Sequence, residues 1–548
     1  MKNTITFFVL LFFPFSFLAA QSTFDRVYEV FQQKCIQCHN HNDPSGMLDL
    51  EGSGATSALK KAAVFDNIYM ATPHNEYASQ KGYKIIYPGR ADKSFMFRKI
   101  NGGLEPGIML AQDAGESMPA YGAEHQLTIE EKELIRQWLL FGAPENNEVV
   151  NEQLIHDYYN TNGMAAFPDG PAEAPDAADG SQIKVGPFFI EPAGELEYFT
   201  KYELELSENV DVDRIEIIIP SFSHHFILYN FTDGGEAAIP YGFRTNADHS
   251  DISLVAAAQE SIDLRLPTGS AFIWDQNLVL DLNTHTINYA GANTYKAEAY
   301  VNVYTKPAGT AAQEMYTALI PHTDIPIPNN GNVITHTQSV SVSGANDIYV
   351  WGMMGHVHKY GTGYKIYERL PGNTLGALLY DGACANGVPG CVSPYFDYQH
   401  IPMRYFEPLH QLNFSAQYGI IHQATWVNDG PSPVWWGPTS NDEMMVMIMM
   451  YLLDTEGVST DTYFPENTLE GLQVFPNPVE ESFSVKLPPS VQKASLTLFD
   501  AYGKQVRFYD ADGNGIATFS REGLPSGIYF YTLREEQGRT VSGKILFR

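Results

Sequence analysis

Residues 215–231 read IEIIIPSFSHHFILYNF. Two apolar runs rich in β-branched and aromatic side chains, 215–219 and 226–229, flank a short Pro-Ser connection, which reads as a pair of strands. The texture continues in both directions. Residues 278–282 (LVLDL) and 299–304 (AYVNVY) are further runs of the same kind. From residue 183 to 454 such runs alternate with Gly, Pro and Asn turns, without a helical period longer than about three turns. The stretch is too long for one small sandwich and predicts two all-β domains.

The rest of the chain bounds its class. Its 548 residues correspond to about three to five domains. With Lys+Arg 33 and Asp+Glu 64 the net charge is −31, which repels phosphate backbones and excludes a nucleic-acid partner. Residues 1–20 read as an export signal, with Lys2, an apolar run over 7–18 and small residues at Ala19 and Ala20. A retained anchor is the alternative, although the run is short for a membrane span. Export leads to an oxidising compartment, where Cys384 and Cys391 are expected to bridge across a short Gly/Pro loop.

The other two cysteines lie in Cys35-Ile36-Gln37-Cys38-His39, a C-x-x-C-H haem c attachment pattern. Two thiols at this spacing bond one haem and the adjacent His39 ligates its iron. A plain disulfide or half a zinc site are the competing readings, but no second Cys/His pair follows at zinc spacing. Residues 24–144 resemble a c-type cytochrome domain of the class fused to large secreted enzymes. The resemblance rests on a first helix over 27–35, Tyr87-Pro88-Gly89, Glu116-Ser117-Met118-Pro119, and a terminal helix over 128–141 that Thr128 and Glu131 cap. It implies Met118 as the sixth iron ligand, with Met96 and Met109 as rivals, and hence electron transfer.

Residues 469–548 carry Val474-Phe475-Pro476-Asn477-Pro478, an Asp500-Ala501-Tyr502-Gly503 strand end, Ser526-Gly527-Ile528-Tyr529 and a closing Gly543-Lys544 strand. Together they resemble the C-terminal sorting domain of the bacterial type IX secretion system, a small β-sandwich. The resemblance implies the type IX machinery as a partner and a secreted or cell-surface location.

Three histidine groups stand out in the middle of the chain: His224-His225, His285 in NTHTINY, and His356-Val357-His358. Alternate residues of a strand share a face, so His356 and His358 can converge on one metal. Adjacent His224 and His225 can do so only at an irregular strand start or bulge. Imidazoles without thiolate suit copper or zinc. Solitary surface or core histidines are the bland reading of each group. The order H-H, H, H-x-H, followed by Ser440-Asn441-Asp442-Glu443-Met444, resembles the copper type II, ascorbate-dependent monooxygenases, such as the peptidylglycine and dopamine β-monooxygenases. The resemblance covers residues 185–453 and implies two jelly-roll-like sandwiches with one copper each. His224, His225 and His285 match the electron-storing copper. His356, His358 and Met444 match the oxygen-binding copper. Met444 also fits an apolar core strand with the four methionines that follow it.

The chain departs from the peptide-amidating members. Met354 stands where they hold a carboxylate-binding arginine, and Val446 and Ile448 replace their asparagine and tyrosine. A bidentate carboxylate clamp is therefore missing, which points to a small apolar or aromatic substrate.

The expected organisation is a signal peptide (1–20), a helical haem domain (21–148), a linker (149–184), two β-sandwiches (185–308 and 309–456) and a C-terminal β-sandwich (469–548). The expected function is hydroxylation of a C–H bond with O₂, using one haem c, two coppers and an external donor, either an ascorbate-like reductant or a redox protein. The competing functions are a non-catalytic haem/copper electron carrier or copper-binding surface protein, and a jelly-roll surface-binding module without copper.

Overall fold

The computed structural model describes residues 21–459 and 473–548, apart from 121, 123–124, 248–250, 343–346, 384–389, 391, 394–395, 399–400, 438–440, 477, 488–492, 501–504, 513–515, 522 and 536–539. The signal peptide, Cys384 and Cys391 lie outside the described residues, as does Ser440. The chain divides into two compact units, residues 1–156 and 157–548. No helix among the described residues is long and apolar enough to cross a membrane.

The first unit is helical. Its first helix, Thr23–Lys34, begins at Ser22, whose side chain forms a reciprocal capping box with Asp25. The last main helix, Ile129–Leu140, begins at Thr128 with the expected box to Glu131. Their apolar stripes meet where Phe24 stacks on Trp138, with ring centres 5.2 Å apart. Helices Ser57–Ile68, Glu76–Gln80 and Phe95–Ile100 lie between them in sequence.

The second unit is built of strands. A four-stranded sheet holds, in spatial order, Glu195–Glu203, Val279–Ile287, Ser223–Phe231 and Ile252–Ala258. It packs on a seven-stranded sheet through Phe226, Leu228, Leu280 and Leu282 on one side and Ile215, Ile217, Val301 and Val303 on the other. Alternation of apolar and polar residues along each strand sends one face into this core. A second sandwich pairs the sheet Tyr316–Pro321, Val446–Leu452, Asp347–His356, Arg404–Asn413 with the sheet Val333–Val340, Gly419–Val427, Gly361–Leu370, Thr374–Asp381. The two cores are continuous: Trp351, Met450 and Leu452 of the second sandwich pack into the first core, and Leu254 of the first packs into the second. A small sandwich of three- and four-stranded sheets, with its own core around Phe483, Leu496 and Leu533, ends the chain.

The stretch expected as a linker is partly structured. It contains the helix Glu152–Asp157 and the strand Gly163–Ala165, and the strand Gly180–Ile190 begins within it. Both strands pair with Thr294–Pro307. The Pro/Asp-rich loop before residue 180 hides how early the alternation of Ile183 and Val185 begins.

One glycine is needed where the second sandwich meets the H-x-H segment. A Cβ at Gly355 would lie 2.2 Å from ring carbons of Tyr364. That ring is fully buried and its hydroxyl is 2.6 Å from His422 Nδ1, so it has no room to yield. Gly355→Ala is expected to destabilise the second unit by roughly 1–3 kcal/mol, the usual range for overpacking. Urea unfolding checks this, and an unchanged midpoint would contradict the packing argument.

Candidate metal centre

The polar face of the four-stranded sheet is where the first three histidines meet. His225 and His285 are directly opposite each other, and Glu197 is opposite His285 on the next strand. The register slips between Ser223 and His225. This bulge is the irregularity that two adjacent histidines require, and it turns His224 towards its neighbour. The result is an Nδ1–Nδ1 separation of 3.2 Å between His224 and His225. One ligand nitrogen from each of His224, His225 and His285 lies within 4.8 Å of the other two.

Hydrogen bonds fix the ring tautomers. His285 Nε2 donates to Glu195 Oε1 at 2.7 Å, and its buried Nδ1 has no protein partner. His225 Nε2 donates to Asn283 Oδ1 at 2.8 Å, with Glu197 Oε1 3.4 Å away. Asn283 Nδ2 in turn donates to Glu197, which fixes the amide orientation. His285 thus keeps an Nδ1 lone pair for an electrophile, while His225 Nδ1 accepts from His224 Nδ1 at 3.2 Å; hydrogen-bonded outer groups orient metal ligands in this way. His224 Nε2 is also buried without a protein partner.

His356 and His358 arrive from the second sandwich. The strand Asp347–His356 ends at His356, and His358 sits in the connection beyond it. Their rings are 5.2 Å apart. Glu443 holds this connection. Its buried carboxylate accepts from the amides of His358 (2.9 Å) and Tyr360 (2.7 Å) and from Trp426 Nε1 (2.8 Å). His358 Nδ1 donates to the Asp442 carbonyl at 3.1 Å, leaving a buried Nε2 without a protein partner. His356 Nδ1 faces Gln259 Nε2 at 3.4 Å, a long contact.

Met444 follows Glu443 and precedes Val446, the residue paired with His356 in the sheet register. It is half-buried, whereas Met445, Met447, Met449 and Met450 fill the core. Met444 packs against the edge of that core, less deeply than those four.

The two histidine sets approach each other through His224 and His225. His224 is 5.7 Å from His358 and 6.2 Å from His356 between ring centres, and His225 is 6.1 Å from His356. Beside them is a cavity of about 190 Å³ in the seam between the sandwiches, lined by Ala257, Gln259, Met354, Met403, Tyr405 and Ile448 among others. Gln259 belongs to both features. Its Oε1 accepts from the Ile401 amide and its Nε2 donates to the Tyr398 carbonyl, so it is clamped in place. The partners Glu195, Glu197, Asn283 and Gln259 were not identified from the sequence. For Glu195, Glu197 and Asn283 the only signal is polar side chains at strand positions two residues from one another or from His285, which acquires meaning only once the register is known; Gln259, just beyond a strand end, has none.

In the first unit, Cys35 is half-buried and Cys38 exposed, and both are free thiols. Burial, with Glu131 nearby, pushes the Cys35 thiol up to about 12. His39 Nδ1 donates to the Leu48 carbonyl at 3.2 Å, leaving Nε2 available. Met118 is half-buried, Met96 is buried in the core and Met109 is exposed.

Burial lowers the proton affinity of four cluster rings. His224 and His356 lie far below the usual imidazole range, His225 is lowered, and His358 falls to about 4; like-charged neighbouring rings add to burial in each case. The imidazoles are thus neutral at pH 7, the form that binds metals. An unfolded histidine titrates near 6.5. The unfolded chain therefore takes up these protons first, so this stability is present above about pH 6.5 and is lost as pH falls towards 4. Buried His422, lowered to about 3, acts in the same direction. Urea midpoints of the metal-free protein should drop from pH 7.5 to 5, and less steeply in His358→Ala. A flat profile would contradict the burial of neutral rings.

Residues 473–548 match the family of secretion system C-terminal sorting domains. No curated protein matches the chain. Among solved structures, a DUF3244 family protein with an immunoglobulin-like β-sandwich fold from Bacteroides vulgatus is similar at 17% identity over 16% of this chain and 90% of its own, with a TM-score of 0.13. CopC from Methylosinus trichosporium OB3b is similar at 20% identity over 14% of this chain and 90% of its own, with a TM-score of 0.12. A β-glucuronidase from Parabacteroides merdae is similar at 10% identity over 45% of this chain and 31% of its own, with a TM-score of 0.16. Scores this low carry no argument about architecture or activity. The matched sorting domain does bear on location: the protein is delivered to the cell surface or the medium by the type IX secretion system.

Proposed function

We propose that the protein is a secreted copper monooxygenase that hydroxylates a C–H bond of a small apolar or aromatic molecule and draws electrons through its own haem c. The observation that supports this best is the buried histidine cluster, joined through Gln259 to an apolar cavity. The donor set fits copper: three buried ring nitrogens without protein partners, on His224, His285 and His358, and a half-buried thioether in the adjoining segment. Copper bound there would supply reductive activation of O₂, one atom entering the substrate and the other leaving as water with two electrons.

The chain's own residues divide the remaining work. His224, His225 and His285 would hold the electron-storing copper. His356, His358 and Met444 would hold the oxygen-side copper, and Glu443 fixes the backbone that presents His358. Met354 and Ile448 form apolar walls of the cavity, where a carboxylate would find no arginine, so the substrate is neutral and hydrophobic. In the first unit Cys35 and Cys38 would attach the haem, and His39 and Met118 would bind its iron. A reductant outside the chain, ascorbate-like or a redox protein, reloads it.

Two variants test this reading. Met444→Ala should retain copper at the three-histidine set, yet O₂ uptake coupled to oxidation of a small aromatic or aliphatic substrate should fall to background. Glu443→Gln should lower copper affinity at His356 and His358 by roughly 10–100-fold, the usual cost of losing a residue that orients a ligand. Full turnover in Met444→Ala would refute the assignment of Met444. Copper loading with haem reduction but without any substrate oxidation would support a non-catalytic electron carrier instead.

A further inference from the structure

We infer that Tyr364 and His422 form a proton-coupled redox pair, through which the second sandwich gives up one electron beside the H-x-H segment and takes it back. The pair stands on geometry that involves no metal. The purpose assigned to it below rests on the copper reading above.

The first observation is the contact. The Tyr364 hydroxyl donates to His422 Nδ1 at 2.6 Å, and both side chains are fully buried. His422 Nε2 donates to Gln338 Oε1 at 2.7 Å, which makes Nε2 the protonated nitrogen and leaves the Nδ1 lone pair to the phenol. Cross-strand register builds this chain of bonds. His422 is opposite Gln338 on one side and Ile366 on the other, and Tyr364 stands two residues before Ile366. Tyr364 is therefore a diagonal neighbour of His422 on the same face.

The second observation is where the proton rests. Burial leaves the His422 ring neutral at pH 7 and holds the phenol well above its usual range. The proton thus sits on Tyr364, facing an open base. A phenol that loses an electron becomes a strong acid, and without a base it would leave an unpaired cation in apolar surroundings. Tyr380 shows the contrast. It is equally buried, but its hydroxyl donates to the Pro402 carbonyl, which is not a base.

The third is position. A Cβ at Gly355 would lie 2.2 Å from ring carbons of Tyr364, so the ring lies against the backbone one residue before His356. An oxidisable ring is thereby set at the end of the strand that presents His356.

The step balances within the pair. The Tyr364 O–H bond breaks, the electron goes to the oxidant and the proton to His422 Nδ1. A neutral tyrosyl radical and an imidazolium remain, the latter still donating to Gln338. One electron from a reductant reverses both transfers. In the working protein the oxidant would be a partly reduced oxygen species formed beside the copper in the absence of substrate, such as hydroxyl radical, which one electron converts to hydroxide. The pair would spare His356, His358 and Met444 from that oxidation.

The test has two arms, both on the full mature chain. In the first, the copper-free protein with ferric haem is oxidised by photogenerated tris(bipyridine)ruthenium(III) and frozen for electron paramagnetic resonance. A long-lived tyrosyl radical is expected, narrowed by ring-deuterated tyrosine, with a hydrogen-bonded proton that exchanges in D₂O. Tyr364→Phe should remove it. His422→Gln keeps a hydrogen-bonding side chain but no base, and should slow radical formation by roughly 100-fold, within the usual worth of a positioned base in proton transfer. No long-lived radical, or one unchanged in either variant, would overturn the redox pair and leave the copper reading intact. In the second arm, copper-loaded protein is held with ascorbate and O₂ but no substrate, and its peptides are analysed by mass spectrometry. Tyr364→Phe should accumulate oxidised His356, His358 or Met444 several-fold faster. An equal rate would overturn the protective role. The first arm uses no copper, so it decides the pair whatever becomes of the copper reading.

Discussion

The site depends on how the Glu443 carboxylate is buried. It sits fully enclosed in the second sandwich and accepts three N–H groups, from His358, Tyr360 and Trp426. Burial pushes the carboxyl up, while hydrogen bonds from the Tyr360, His358 and Met444 amides and from Trp426 draw it back. Enclosing a carboxylate costs several kcal/mol, which hydrogen bonds of roughly 1.5–3 kcal/mol each to a charged group can offset only as a complete set. The clamp is therefore all-or-none. It ties the connection after one strand to the segment before another, and so brings His358 and Met444 to the same end of the sheet as His356.

A complementary constraint operates in the first sandwich. The bulge at His224 and the direct pairing of His225 with His285 place three rings on a face that already carries Glu195, Glu197 and Asn283. Such a polar face is costly to bury unless its groups are satisfied. The hydrogen bonds to Glu195 and Asn283 satisfy one nitrogen of two rings and orient the other. The continuous core between the sandwiches then presents His356 and His358 to that face, with the apolar cavity alongside.

Much of this was legible in the sequence because it is local. Short apolar runs announced the strands around 215–219 and 226–229, the Thr128–Glu131 capping box announced the last main helix of the first unit, and the C-terminal motifs announced the sorting module. The need for a bulge followed from two histidines in succession. The partners of the rings were not legible, because Glu195 and Asn283 come near them through cross-strand register, which the sequence does not display. The proximity of the two histidine sets was also hidden. It arises from packing between sandwiches, and the resemblance pointed to separate sites. The early start of the strand Gly180–Ile190 was masked by the Pro/Asp-rich loop before it.

The central claim is that the buried histidines hold copper. Anomalous diffraction from crystals of the copper-loaded protein, with data on both sides of the copper absorption edge, tests it most directly. The account predicts two copper peaks, one among His224, His225 and His285, the other on His356 and His358 with the Met444 sulfur beside it. A pocket without a copper peak, or a single peak remote from His356 and His358, would contradict it.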